Sequence, residues 1–76
     1  MELVGLIEPL ETVNDRFRYL RISNNLTLKE VGKSMNKTDK QINFMELGKR
    51  GIHVEDVYDY SRVFNVSPNW LLLGRE

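Results

Sequence analysis

The sequence predicts an all-α fold, and three observations carry that expectation. Thr27-Leu28-Lys29-Glu30 and Thr38-Asp39-Lys40-Gln41 each pair a hydroxyl residue with Glu or Gln three places later, the reciprocal arrangement that satisfies free amides at a helix N-terminus. Apolar residues recur at spacings of three and four, the period of a helix with one buried face. No segment alternates as a strand does, save Leu3 to Ile7, which is too short to weigh.

Five helices follow in order. Val13, Phe17 and Leu20 define one face of a first helix that ends near Asn24-Asn25, residues that tolerate the left-handed conformation at a C-terminus. Thr27 caps a second helix with Leu28, Val31 and Met35 inward, and Asn36-Lys37 makes the turn. Thr38 caps a third, with Ile42 and Met45 inward and Gly48 as its stop. A fourth is expected from about Val54 to Phe64, with Val54, Val57, Ser61 and Phe64 on one face. Ser67-Pro68 opens a fifth, Ser as cap and Pro at the first helical position, with Trp70, Leu71 and Leu72 before Gly74.

Seventy-six residues suffice for one small domain and are too few for an enzyme that needs a deep cleft between two lobes. With 41% hydrophobic and 29% charged residues the composition is that of a soluble globular protein. No apolar run approaches the roughly 18 residues of a membrane span, so no membrane partner is expected. The absence of cysteine excludes disulfides, and one histidine, His53, leaves no zinc site of His and Cys ligands. No metal and no cofactor are predicted. His53 stands near Glu55, Asp56 and Asp59 without a second histidine or a nucleophile constellation, so no catalysis is assigned. The opening residues carry Glu2, Glu8 and Glu11 and no base, unlike the positive start of a secretory signal; a cytoplasmic location is expected.

The net charge is zero, but it is unevenly placed. Residues 1–13 sum to −3, residues 14–50 to +5 and residues 51–76 to −2, so the middle half of the chain is basic.

From Phe17 to about Gly74 the chain resembles the helix-turn-helix family of the lambda-type phage repressors and Cro proteins. Leu20-Arg21, Leu26-Thr27, Ile42, Glu46, Gly48-Lys49-Arg50, Val66-Ser67 and Trp70-Leu71-Leu72 fall in the family's order without a gap. The resemblance implies a compact five-helix repressor-like DNA-binding domain over residues 13–76, preceded by an N-terminal extension over 1–12, with a central helix-turn-helix whose third helix lies in the major groove. It further implies a transcriptional regulator of a phage or mobile element in a bacterial host, and a partly buried ion pair between Arg21 and Glu46. The chain departs from the family at Leu28, where many members have glutamine, at Lys37, where a small apolar residue usually plugs the turn, at Leu47 in place of asparagine, and at Gly32 in place of alanine, a costly residue in a helix interior that suits a close helix-helix approach.

If Ile42 and Met45 point inward, an advance of about 100° per residue turns Lys40, Phe44 and Leu47 nearly opposite, with Asn43 beside them. Lys40 is then placed for guanine O6 or N7, Asn43 for an adenine edge or a phosphate, and Phe44 either for a thymine methyl or for packing against a neighbour. Asp39 and Gln41 flank this set at the helix start and join the base-reading candidates. Arg18, Thr27, Lys33, Lys37, Thr38, Lys49 and Arg50 are phosphate candidates.

One recognition helix reads only a few base pairs, so a homodimer on a pseudo-palindromic operator is expected, joined through Val66, Trp70, Leu72 and Leu73. The apolar Leu3, Val4, Leu6, Ile7 and Leu10 are either a tail, an added dimer contact or a lid. Two other functions fit the same residues: an antitoxin that binds its own promoter and holds a toxin through the N-terminal extension, and a protein-interaction module that has lost DNA. A short Cro-like regulator and a fragment of a longer one both remain open.

Overall fold

A computed structural model describes residues 12–75. Its helices are α1 (Val13–Ser23), α2 (Leu28–Met35), α3 (Asp39–Leu47), α4 (Val54–Phe64) and α5 (Pro68–Leu73), the five that the caps and periods predict. The apolar residues of the N-terminal extension lie outside the described residues.

Each helix starts on a local device. Thr12 Oγ1 accepts the Asp15 amide, and Ser67 Oγ accepts the Trp70 amide, both at 3.1 Å. At α2 and α3 the full reciprocal box is present: Thr27 with Glu30, and Thr38 with Gln41. At α4 the Asp56 carboxylate reaches back to the His53 amide at 2.9 Å. The C-termini close in the left-handed conformation at Asn36, Gly48, Asn65 and Gly74.

Phe17, Leu20, Val31, Met35, Ile42, Met45, Val57, Tyr60 and Leu71 form one buried cluster drawn from all five helices. Phe17 and Tyr60 stack at its centre, ring centroids 4.0 Å apart. The inward face of α4 differs from the expected one. Val57, Tyr60 and the half-buried Phe64 point in, while Val54 is 66% exposed. The reason is the spacing 57, 60, 64, which brings two aromatic rings inward and leaves Val54 in the first turn, past the edge of the core. The Tyr60 hydroxyl is buried and has no hydrogen-bond partner among the described residues; burial and, after it, the Glu46 carboxylate push the phenol well above its ordinary range.

Two arginines of α1 reach distant parts of the chain. Arg16 is only 4% exposed, and its guanidinium donates to the Leu71 carbonyl at 2.7 Å and the Leu72 carbonyl at 3.0 Å. Those are C-terminal carbonyls of α5 that have no partner within their own helix. Arg21 donates through Nε and Nη2 to the two carboxylate oxygens of Glu46 at 2.7 and 3.0 Å, and through Nη1 to the Leu26 carbonyl at 3.0 Å. The fork therefore joins α1, the α1–α2 connection and α3 in one planar arrangement.

The Glu46 side chain is 2% exposed, so truncating either partner would leave the other charge poorly solvated. Glu46→Ala is expected to lower the unfolding free energy by roughly 3–5 kcal/mol in a denaturant titration; an unchanged midpoint would mean that the fork adds nothing to the fold.

The backbone approaches closely at the turn between α2 and α3. A Cβ added at Gly32 would lie 2.6 Å from the Lys37 carbonyl oxygen and 3.2 Å from the Thr38 carbonyl, while the Lys37 amide donates to the Gly32 carbonyl at 2.7 Å. The obstacle is backbone, which cannot swing aside as a side chain can. Gly32→Ala is therefore expected to lower the thermal midpoint, its overpacking cost of roughly 1–3 kcal/mol exceeding the gain in helix propensity of up to about 1 kcal/mol. A raised midpoint would show that α2 and α3 can part without loss.

Candidate nucleic-acid interface

The closeness of α2 and α3 at Gly32 sets the start of α3 out at the surface. Ile42, Met45 and Glu46 are buried, the opposite face carries Lys40, Asn43, Phe44 and Leu47, and Asp39 and Gln41 flank it in the first turn. Asp39, Lys40 and Gln41 are exposed, Asn43 and Phe44 half-buried, and Leu47 55% exposed. Phe44 is absent from the hydrophobic residues packed against the core; its ring lies under the Lys40 ammonium, 5.6 Å from Nζ to the centroid. Gln41 Oε1 accepts the Thr38 amide at 2.9 Å, so only its amide hydrogens are left to offer. Asn14, from α1, donates to the Met45 carbonyl at 2.6 Å and ties down the far end of α3.

The phosphate candidates separate into two groups. Lys33, Lys37 and Thr38 come together with Lys29 and Asp39 around a shallow cleft beside the turn, and a second cleft lined by Gly32, Asn36 and Gln41 shares the same three residues. Arg18, Thr27 and Lys49 are exposed and line neither of these clefts. Lys29 was not singled out by the sequence, because its only signal there is its place one helical turn before Lys33.

Two of the bases carry a second, internal duty. Lys37 Nζ lies 3.2 Å from one carboxylate oxygen of Asp56, and Arg50 Nη1 lies 3.4 Å from the other. Asp56 is 2% exposed. Lys37 thus stands where an apolar plug was expected because it reaches over the turn to a carboxylate at the start of α4, a contact no local pattern reveals. Arg50 approaches the same carboxylate from the chain leaving α3. Arg16 and Asn14 were missed as well. Arg16 had a signal, since it falls three residues after Val13 and four before Leu20, on the buried face.

Burial pushes the Asp56 carboxyl up, but the His53 amide, then Lys37 and Arg50, outweigh it and hold the group below its ordinary value of 3.8. With the folded value below the unfolded one, the stabilisation is complete above the unfolded value and is lost as pH falls through the folded one. The stability deficit of Asp56→Asn against wild type should therefore hold steady from about pH 7 to about pH 5 and shrink below about pH 4 in denaturant titrations. A deficit that persists unchanged in acid would mean that the carboxylate's charge is not what matters.

The geometry can be set beside that of known proteins. The family model described as helix-turn-helix matches residues 17–71. No curated protein sequence matches the chain. Among solved structures, the crystal structure of the P22 c2 repressor protein in complex with synthetic operator 9T, in the presence of Tl+, superposes with a TM-score of 0.76. The two are 22% identical over 84% of this chain and 97% of that one. At that identity the likeness speaks for the fold.

Proposed function

The chain belongs to the helix-turn-helix family of the lambda-type repressors and Cro proteins, DNA-binding transcriptional regulators, and from that premise we propose that it is a repressor or Cro-like regulator of a phage or mobile element that lays α3 in the major groove as a homodimer. The observation that carries this reading is the outward face of α3. Lys40, Asn43 and Phe44 project from a helix whose other face is locked into the core, and whose first residue, Asp39, borders a cleft lined by Lys29, Lys33 and Lys37. Side chains of these types suit base edges, and the surrounding ammonium groups suit phosphates. The structural neighbour holds a repressor with a synthetic operator, which supports the same partner here.

The exposed bases Arg18, Lys29, Lys33 and Lys49, with the hydroxyl-capped starts of α2 and α3 at Thr27 and Thr38, make up the phosphate-facing set. Lys37 and Arg50 would contribute while remaining attached to Asp56, which fixes their positions at the cost of part of their field.

For the homodimer, Leu72 and Leu73 are 51% and 60% exposed at the end of α5. Leu72 borders an apolar groove with Val13, Ile52, Val54, Val57, Tyr58 and Pro68. Val66 and Trp70 belong to a different cleft, with Tyr19 and Phe64, and Trp70 packs at 6.2 Å from the Tyr19 ring. A second copy is therefore better served by Leu72, Leu73, Val54 and Tyr58 than by Val66 and Trp70.

Selection from a pool of random duplexes, washed first at low and then at moderate salt, tests the reading. Wild type should enrich a site with two-fold symmetry, and Lys40→Glu should not. Affinity for that site should fall on a log-log plot with a slope of about 0.9 per phosphate contact. Failure to enrich any duplex at low salt would overturn the proposal and turn attention to a protein partner.

A further inference from the structure

We propose that Lys40 and Phe44 act as a single reader of two adjoining base pairs, one carrying guanine and the other thymine. The inference rests on the DNA-binding reading given above.

The two side chains lie one helical turn apart on the outward face of α3, where residues four apart are neighbours. The Lys40 ammonium sits 5.6 Å from the Phe44 ring centroid, within the distance at which a cation is attracted to the face of an aromatic ring. No carboxylate pairs with Lys40 among the described residues, although Asp39 is its neighbour in sequence. The ring, in turn, is not packed against the core. The half-buried ring is a fixed point for the exposed lysine beside it. The ring restrains a long flexible stem that would otherwise sample many rotamers, and the ammonium lies over its face.

This arrangement has a defined reach. Stacked bases are about 3.4 Å apart along the helix axis, so an ammonium and a ring separated by 5.6 Å span one step and part of the next. In the major groove guanine alone offers two acceptors, O6 and N7, and thymine alone offers a methyl group. The ammonium, a donor without acceptor capacity, takes the first, and the uncovered edge of the ring takes the second. Asp39, beside Lys40, is an acceptor and cannot take guanine's two acceptors, and Gln41, its carbonyl oxygen engaged by the Thr38 amide, is neutral and lacks the ammonium's charge.

The test uses the full chain, duplexes enriched in the selection above, and base analogues that remove one group at a time. In each half-site one guanine is expected to have a thymine in the next base pair. Uracil in place of that thymine should weaken binding about fourfold, the worth of one methyl group withdrawn from contact. 7-Deazaguanine in place of that guanine should weaken it roughly tenfold. Phe44→Ala should bind thymine and uracil duplexes alike and should also respond less to 7-deazaguanine, because Lys40 loses the ring that holds it. Wild-type binding that is indifferent to uracil at every thymine overturns the paired reader while leaving DNA recognition intact. A Phe44→Ala protein that keeps the full response to 7-deazaguanine reduces the two residues to independent contacts and also overturns it. Absence of any enriched duplex overturns the DNA reading and the inference together.

Discussion

Glu46 enters the interior as a charged group on the helix that faces outward at its other side, and the fold is arranged so that this charge is met. Arg21 presents a planar fork to both carboxylate oxygens and keeps a third donor for the Leu26 carbonyl. A buried ion pair of this kind gives little net stability against an apolar replacement, because two charges must leave water to form it. What it supplies is orientation, since a fork bound through two parallel hydrogen bonds tolerates little rotation. The rotation it fixes is that of α3 about its own axis relative to α1. The Asn14 contact to the Met45 carbonyl fixes the same helix along its length, and the apolar cluster around Phe17 and Tyr60 fills the space behind it.

A second carboxylate does for the turn what Glu46 does for the helix. Asp56 receives Lys37 from the α2–α3 connection, Arg50 from the segment after α3, and the His53 amide from its own helix start. The chain entering α3 and the chain leaving it are thereby bound to one point at the base of α4. Together the two carboxylates explain how a domain with no disulfide can hold a short helix in a defined pose. They also redistribute charge. The sequence counts nine bases in residues 14–50, yet Arg16, Arg21, Lys37 and Arg50 bond inward, so the field presented outward is weaker than the count suggests.

What was legible in the sequence follows the range of the forces involved. Helix starts and stops depend on residues three or four apart, and the two threonine boxes, the Ser67-Pro68 start and the glycine and asparagine stops were readable because every partner is close in sequence. The outward face of α3 was readable for a similar reason, since the helical period needs only Ile42 and Met45 as its origin. Lys37 with Asp56 and Arg16 with the α5 carbonyls were not, because each joins elements far apart in the chain through a hydrogen-bonding group that has many other possible partners. The face of α4 was misassigned at Val54 for a subtler reason: an apolar residue in the first turn satisfies the period without reaching the core. Gly32 was legible as a departure that suits a close helix approach, and the placement of the Lys37 carbonyl shows which backbone a side chain would meet there.

The outward residues of α3 share one property that the buried ones lack. Lys40, Asn43 and Phe44 take no part in the apolar cluster or in the four ion pairs among the described residues, so exchanging them disturbs neither. On the proposed reading, foldability and target choice are consequently written in separate letters of the same nine-residue helix. A lineage that reads DNA through these residues would change operators with a few codons while the core and the ion pairs stay as they are. A designer has the same freedom, provided Ile42, Met45 and Glu46 are left alone.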